Sequence, residues 1–190
     1  MSLEIDTREN KIKTLFSEID PSILEKYQIT VKSLDLGDFV FKLGEEAVLV
    51  IERKSLTDLY QSITDGRHRE QKKRLFSTYP KSKIIFLIEG NIYGEDFSDK
   101  KVKIIQSSIL NTIIRDNTRI IQTMDIADTF NTLKQIYEKL LKNPEFFQTE
   151  TQSGGSTITE TDGYANTIKL KKKDNMTPQL CQQLWLAQIP

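Results

Sequence analysis

Cysteine occurs once in the 190 residues, at Cys181, so the chain has neither an internal disulfide framework nor a cysteine-built zinc site, and it fits a reducing compartment. Histidine also occurs once, at His68, among arginines, which argues against a histidine metal site or a histidine general base. No apolar run approaches the ~18 residues that span a bilayer. The opening segment, MSLEIDTREN, has no apolar stretch behind a basic start, so no secretory signal is expected and an intracellular protein, nuclear or cytoplasmic, is. Neither sign of charge is in excess: 27 Lys+Arg balance 27 Asp+Glu, which excludes a histone-like basic protein but leaves room for a local basic patch. What is present is ordinary for a globular chain, with 37% hydrophobic and 28% charged residues. The length suits one domain with a sizeable core, or one domain with a short appendage.

Strand and helix patterns alternate along most of the chain. Leu3 to Asp6 reads as a short strand ending at an acid, and Lys11 to Ile19 as a helix with a stripe of Ile12, Leu15, Phe16 and Ile19. Ile29 to Leu34 and Phe39 to Phe41 read as strands. Leu43-Gly44-Glu45-Glu46 then turns the chain into a further strand, Ala47 to Lys54, whose continuous Val48 to Ile51 run predicts cover on both faces. Ser55 and Asp58 form a capping box that starts the next helix, with Leu56, Leu59, Tyr60 and Ile63 at helical spacing. Ile84 to Ile88 is a second buried strand. Val102 to Ile114 and Ile126 to Leu141 are helices flanking a strand at Arg119 to Gln122, and Asn143-Pro144 closes the last helix. This alternation predicts an α/β fold on a mixed sheet. The composition changes at Gln148, where QTETQSGGSTITETDG is too polar to order itself and reads as a flexible linker or insert.

The chemistry concentrates in Gly37-Asp38, a gap of thirteen residues, then Glu52-Arg53-Lys54, with Asp58 four residues later. Strand alternation sends Glu52 and Lys54 to one face and Arg53 to the other. The hairpin can bring Asp38 beside Glu52, so two carboxylates and an ammonium converge at one sheet edge. Metal-assisted phosphodiester hydrolysis needs that set: oxygen ligands for a hard divalent cation, and a lysine to position water and offset developing charge.

The surroundings extend the pattern: Asp6-Thr7-Arg8-Glu9, Leu36-Gly37-Asp38-Phe39, Ile51-Glu52-Arg53-Lys54, Ser55-Leu56-Thr57-Asp58, Asp65-Gly66-Arg67 and Phe86-Leu87-Ile88-Glu89-Gly90. In this order they resemble the nuclease domain of the XPF/Hef family of structure-specific endonucleases, whose hallmark is Gly-Asp-x(n)-Glu-Arg-Lys-x(3)-Asp. The resemblance covers about Met1 to Leu141. It implies a restriction-endonuclease-like mixed sheet flanked by helices. It also implies dependence on Mg2+, with Mn2+ able to substitute, and incision of one strand of flapped, forked or branched DNA in repair or recombination. The cut leaves a 3′-hydroxyl and a 5′-phosphate. Matched residue by residue, Asp38, Glu52 and Asp6 are the implied metal ligands, with Glu9 a further acid of the site, Lys54 the catalytic lysine, Arg53 and Asp58 the residues that order the site, and Arg8 and Arg67 phosphate contacts or braces. Glu89 is a candidate supporting acid. A non-catalytic DNA-binding subunit is the alternative, and the intact Asp38, Glu52, Lys54 and Asp58 argue against it.

Asp65 to Lys83, DGRHREQKKRLFSTYPKSK, is the most basic stretch, with seven Lys/Arg against two acids. Arg67, Arg69, Lys72, Lys73 and Arg74 are expected to track the DNA backbone, arginine being well shaped for phosphate. The helices at Val102 to Ile114 and Ile126 to Leu141 are apolar beyond one stripe, and the family pairs its nuclease domains, so a homo- or heterodimer surface is expected there. Asn175 to Pro190, with Leu180, Leu184, Trp185 and Ile189, resembles the opening helix of the tandem helix-hairpin-helix domain that follows the nuclease in this family. The expected organisation is thus a nuclease domain at 1–147, a linker or insert at 148–174 and a truncated helical stub at 175–190.

Overall fold

The computed structural model describes residues 1–19, 27–94 and 97–144, together with the backbone of 169–170 and 174–175. Contacts divide the chain into two units, Met1–Thr149 and Glu150–Pro190. In the second, Lys169–Leu170 pairs antiparallel with Asp174–Asn175. The polar segment at 148–163, Cys181, and the helix expected around Trp185 lie outside the described residues. Among the described residues, no helix is long and apolar enough to cross a membrane.

The first unit runs β1 (Ser2–Asp6), α1 (Asn10–Ser17), β2 (Gln28–Lys32), β3 (Phe39–Leu43), β4 (Glu46–Ser55), α2 (Leu56–Thr64), α3 (Arg67–Thr78), β5 (Ile84–Glu89), α4 (Asp99–Leu110), β6 (Arg119–Thr123) and α5 (Ile126–Lys142). Six strands form one mixed sheet in the order β2-β1-β3-β4-β5-β6. Strand β1 is parallel to β2 and antiparallel to β3, the β3–β4 hairpin is antiparallel, and β4, β5 and β6 are mutually parallel. The predicted α/β class and mixed sheet are therefore present.

Strand alternation sorts the side chains into two cores. Leu3, Ile5, Phe39, Phe41, Leu49, Ile51, Ile85 and Leu87 pack with Ile12 and Phe16 of α1 and with Leu133, Ile136, Tyr137 and Leu140 of α5. Val40, Val50, Ile84, Phe86 and Ile88 pack with Leu56 and Leu59 of α2, Leu75 of α3 and Ile105 of α4. The sheet is thus covered on both faces, as the unbroken Val48 to Ile51 run requires. Burying each of these large apolar side chains contributes about 1.5–3 kcal/mol.

Two departures from the expected pattern bear on the site. The hairpin holds a β-bulge: Phe41 pairs with Leu49 but Lys42 with Ala47, which leaves Val48 without a partner. Val48 and Leu49 consequently share the α1/α5 core although they are sequence neighbours. Strand β2 ends at Lys32 rather than Leu34, because the Leu34 N–H turns to donate to Asp6 Oδ2 (2.8 Å). The apolar width of α5 also has a core explanation: Tyr137, one of the residues expected at a dimer surface, is only 1% exposed and donates its hydroxyl to the Met1 carbonyl (2.6 Å). Apolar exposure on α5 is left to Leu141 near its end, and the larger exposed group lies at the end of α4 and the π turn that continues it, where Leu110, Ile113 and Ile114 are 54%, 45% and 75% exposed.

Candidate active site

Past the bulge, β3 and β4 pair Phe39 with Ile51 and Val40 with Val50, and this register carries on to set Asp38 opposite Glu52. The Asp38 N–H donates to the Ile51 carbonyl (2.8 Å) and closes the ladder there. Gly37 makes the approach possible. Its φ is +79°, and a Cβ would lie 2.6 Å from Val50 Cγ1, so both conformation and space demand glycine. Lys54, two residues past Glu52, returns to the same face with Nζ 3.5 Å from Glu52 Oε1. Asp58 lies one turn into α2, where Ser55 Oγ accepts from the Asp58 N–H (3.1 Å) and donates to Asp58 Oδ2 (2.7 Å). The capping box is therefore present, with the aspartate bound to the serine hydroxyl.

These residues line a cleft of about 320 Å³ whose far wall is the face of α3 carrying Arg67, Gln71 and Arg74. Burial, and then the neighbouring Asp38 carboxylate, push the Glu52 carboxyl up to about 7, with Lys54 and Arg8 opposing. Asp38 is also raised by burial, against the Arg53 backbone N–H that donates to its Oδ2 at 2.7 Å. The pair is short of positive charge.

Arg53 takes the opposite face of β4. Its Nε and Nη2 donate to the two oxygens of Glu89 (2.9 and 2.6 Å), and its Nη1 reaches Glu9 (3.1 Å). Thr129 of α5 donates to Glu89 Oε2 (2.7 Å), and Thr123 lies 2.7 Å behind it. Glu9 sits above an ordinary glutamate because burial outweighs the attraction of Arg53. The expected ordering role of Arg53 and the supporting role of Glu89 thus have one geometry, a clamp tying β4, β5, α5 and the loop after β1.

Several expected residues fall elsewhere. Asp6, expected among the metal ligands, is 1% exposed and committed to the protein: Arg8 N–H and Nε donate to its Oδ1 (2.8 and 2.6 Å), and Leu34 N–H to its Oδ2 (2.8 Å). Burial alone would raise its pKa, but these donors hold it down to about 2. Its place is behind Arg8, which lines the cleft. The basic stretch also divides. Arg67 and Arg74 face the cleft, Arg67 pairing with Asp65 (2.6 Å) and Arg74 reaching the Asp35 carbonyl (3.4 Å). Arg69 and Lys73 lie on the other side of α3. Lys72, expected to touch DNA, is 7% exposed, is ion-paired with Asp116 and donates to Thr112 (2.8 Å). It joins α3 to the end of α4 and is not available to a phosphate. Sequence reading missed Gln71. Its Oε1 is buried in the cleft wall with no hydrogen-bond partner among the described residues, and its signal was the four-residue step from Arg67 along one helix face.

A divalent cation fits this donor set. Among the described residues no three of His, Cys, Asp and Glu gather into a metal cage. Two neighbouring carboxylates short of positive charge instead suit an ion of the Mg2+ kind, which binds through one or two carboxylates and keeps waters or phosphate oxygens for its remaining positions.

Comparison with known proteins agrees with the fold and the motif. The family model described as the ERCC4 domain matches residues 5–136. The chain is 35% identical over 164 residues to the probable crossover junction endonuclease mus81 of Dictyostelium discoideum, covering 73% of this chain and 18% of that protein. It is 31% identical over 121 residues to the 3′-flap repair endonuclease Xpf of Saccharolobus solfataricus, covering 63% of this chain and 49% of that one. The chain thus spans less than half the length of either curated relative. Among solved structures, XPF from Aeropyrum pernix in complex with DNA matches with a TM-score of 0.56 at 24% identity, over 74% of this chain and 65% of that one, a likeness of fold. On a family model that runs from β1 into α5, through both halves of the hairpin motif, this chain belongs to the ERCC4-domain family and carries an XPF-type nuclease domain.

Proposed function

We propose that this chain is a divalent-metal-dependent, structure-specific DNA endonuclease that cuts one strand near a single-strand/double-strand junction, such as a 3′ flap or fork. The observation that carries the reading is the convergence of Asp38, Glu52 and Lys54 on one face at the mouth of a cleft walled by Arg67 and Arg74. Asp38 and Glu52 are the residues that would hold Mg2+ or Mn2+. When bound, the ion supplies Lewis-acid polarisation of a phosphoryl oxygen and a lowered pKa for water. The protein does the rest. Arg67 and Arg74 position the backbone through phosphate contacts, and Lys54 orients the attacking water and offsets charge on the phosphoryl oxygens in the transition state. Attack at phosphorus breaks the bond to the 3′ oxygen, which takes up a proton, and leaves a 3′-hydroxyl and a 5′-phosphate. The test is incubation with labelled flap, fork and plain duplex DNA in Mg2+, Mn2+ or EDTA. Cutting confined to branched DNA and abolished by EDTA supports the reading; no cutting in any metal overturns it.

The chain also works as a homo- or heterodimer in this reading. The support is the exposed Leu110, Ile113 and Ile114 beside β6, an edge strand of the sheet. Ile114→Asp is expected to yield monomer in sedimentation equilibrium. A wild-type monomer at tens of micromolar would contradict self-pairing and leave pairing with a different subunit.

A further inference from the structure

Helix α3 has two lined faces. One walls the cleft with Arg67, Gln71 and Arg74. The other, with α4 opposite, encloses a groove of about 1270 Å³ that the catalytic residues do not reach. The groove has an apolar floor of Ile63, Phe76 and Ile104. Its rims are mainly basic: Arg69 and Lys73 from α3 and Lys100 and Lys103 from α4, all exposed, with Asp99 at the start of α4 the one exposed acid among the lining residues. Among the described residues no ion pair or hydrogen bond engages any of these four basic side chains. The two cations of the groove wall are different. Lys72 and Arg115 both pair with Asp116, so their charge is partly met within the protein and adds little to the rim.

His68 supplies a second, independent observation. It lines the groove, is 8% exposed, stands edge-on to Phe86, and its Nε2 has no hydrogen-bond partner among the described residues. Unpaired buried polar atoms are rare in folded proteins, and one beside a groove marks a place where a ligand's hydrogen bond is wanted.

We propose that this groove carries the single-stranded arm of the branched DNA, on the opposite side of α3 from the strand being cut. The proposal rests on the nuclease reading above. The chemistry selects a single strand over a duplex. A duplex presents phosphates outward and keeps its bases stacked inside, so an apolar, aromatic floor gains nothing from it. A single strand offers both at once: phosphates for the paired rims and unstacked bases for the floor, with Phe76 as the platform. Arg69 and Lys73 are four residues apart and Lys100 and Lys103 three apart, so each rim sets two cationic side chains on one helix face with Cβ atoms about 5–6 Å apart, suited to successive phosphates. His68 offers the exocyclic and ring atoms of a base a hydrogen-bond partner beside the floor. Sharing α3 with the cleft lets one DNA junction engage both faces of the helix.

The test compares two 3′-flap DNAs of the same duplex, one with a long oligo-dT arm and one with an arm of two nucleotides, binding the full chain in Ca2+ by fluorescence anisotropy. Wild-type protein is expected to prefer the long arm. Lys100→Glu with Lys103→Glu should cut that preference about tenfold. It should also lower the salt slope of binding to free oligo-dT by about 1.4, at about 0.7 for each phosphate no longer neutralised. Arg69→Ala with Lys73→Ala should act the same way from the other rim. An unchanged long-to-short ratio and salt slope in both variants would overturn the proposal and reassign the rims to an acidic polypeptide. A chain that cuts flaps in Mg2+ yet shows no arm preference rejects the groove alone. A chain that cuts nothing rejects the nuclease reading, and the oligo-dT salt slope still decides whether the groove holds a strand.

Discussion

The end of β4 treats carboxylates in two opposite ways. On the α1/α5 face, Glu89 receives two guanidinium N–H groups from Arg53 and a hydroxyl from Thr129, and Glu9 shares the same guanidinium. On the α2/α3 face, one residue to either side, Asp38 has a single backbone N–H on its Oδ2 and Glu52 a long 3.5 Å contact to Lys54. One face meets its negative charge from within. The other leaves it largely unmet. Burial does not separate the two, since both are shielded; the separation lies in how many donors the protein itself supplies. An acid with its full set of donors is a brace, and one held short is positioned for chemistry.

The largest expected effect lies on the underprovided face. Asp38→Asn, Glu52→Gln and Lys54→Ala should each lower single-turnover cleavage at least ~100-fold while DNA binding in Ca2+ stays close to wild type. Near-normal cutting by Lys54→Ala would erase the distinction between the faces. Next comes a contrast in stability. Arg53→Ala leaves Glu9 and Glu89 buried without their guanidinium and should cost about 3 kcal/mol in urea unfolding. Glu52→Gln, which removes like-charge repulsion with Asp38, should raise the stability of the metal-free protein at pH 8. Equal destabilisation by both variants would mean that the two faces are alike.

The smallest effect sharpens the comparison by pH. Glu52 is raised to about 7, so between pH 4.5 and 7 the folded protein holds a proton that the unfolded chain has released. Its contribution to stability is full below pH 4.5 and is lost as pH climbs through 7. His68 is pushed down to about 4 by burial and then by Lys72 and Lys54, so the unfolded chain binds the extra proton. Its contribution is full above pH 6.5 and is lost as pH falls through 4. The two slopes oppose each other between pH 4.5 and 6.5. Melting curves in EDTA should therefore rise with pH in Glu52→Gln and fall with pH in His68→Phe, relative to wild type. Parallel profiles in the two variants would refute the opposed assignment.

The residues that sequence reading placed well are those governed by local rules. Period-two alternation put Glu52 and Lys54 together and Arg53 opposite, and the hairpin put Asp38 beside Glu52. The Ser55–Asp58 cap needs only four residues of context. The misplaced ones depend on distant partners. Lys72 looks like any exposed helix lysine until Thr112, forty residues on, and Asp116 come to meet it. Asp6 looks like a ligand because nothing in its type reveals that the Arg8 and Leu34 backbone N–H groups will converge on it. Ile136, which lies beside the main apolar stripe of α5, is buried because α5 packs against both α1 and the sheet, a wider contact than one stripe serves.

The unpaired Val48 has a consequence for how this motif tolerates changes of length. Counted from the hairpin tip, Lys42 opposite Ala47 would set Asp38 across from Ile51; one surplus residue on β4 moves the partner to Glu52. The bulge therefore works as an adjustable shim between a turn free to vary and a chemistry that is not. Deleting Val48 should abolish the irregularity yet leave the two acids facing each other. Deleting Val48 and Val50 together exceeds what one bulge can absorb and should carry the whole end of the strand to the wrong face. The thirteen residues between Asp38 and Glu52 are thus a property of this hairpin's length, and related chains can insert or lose residues at the tip without moving either acid.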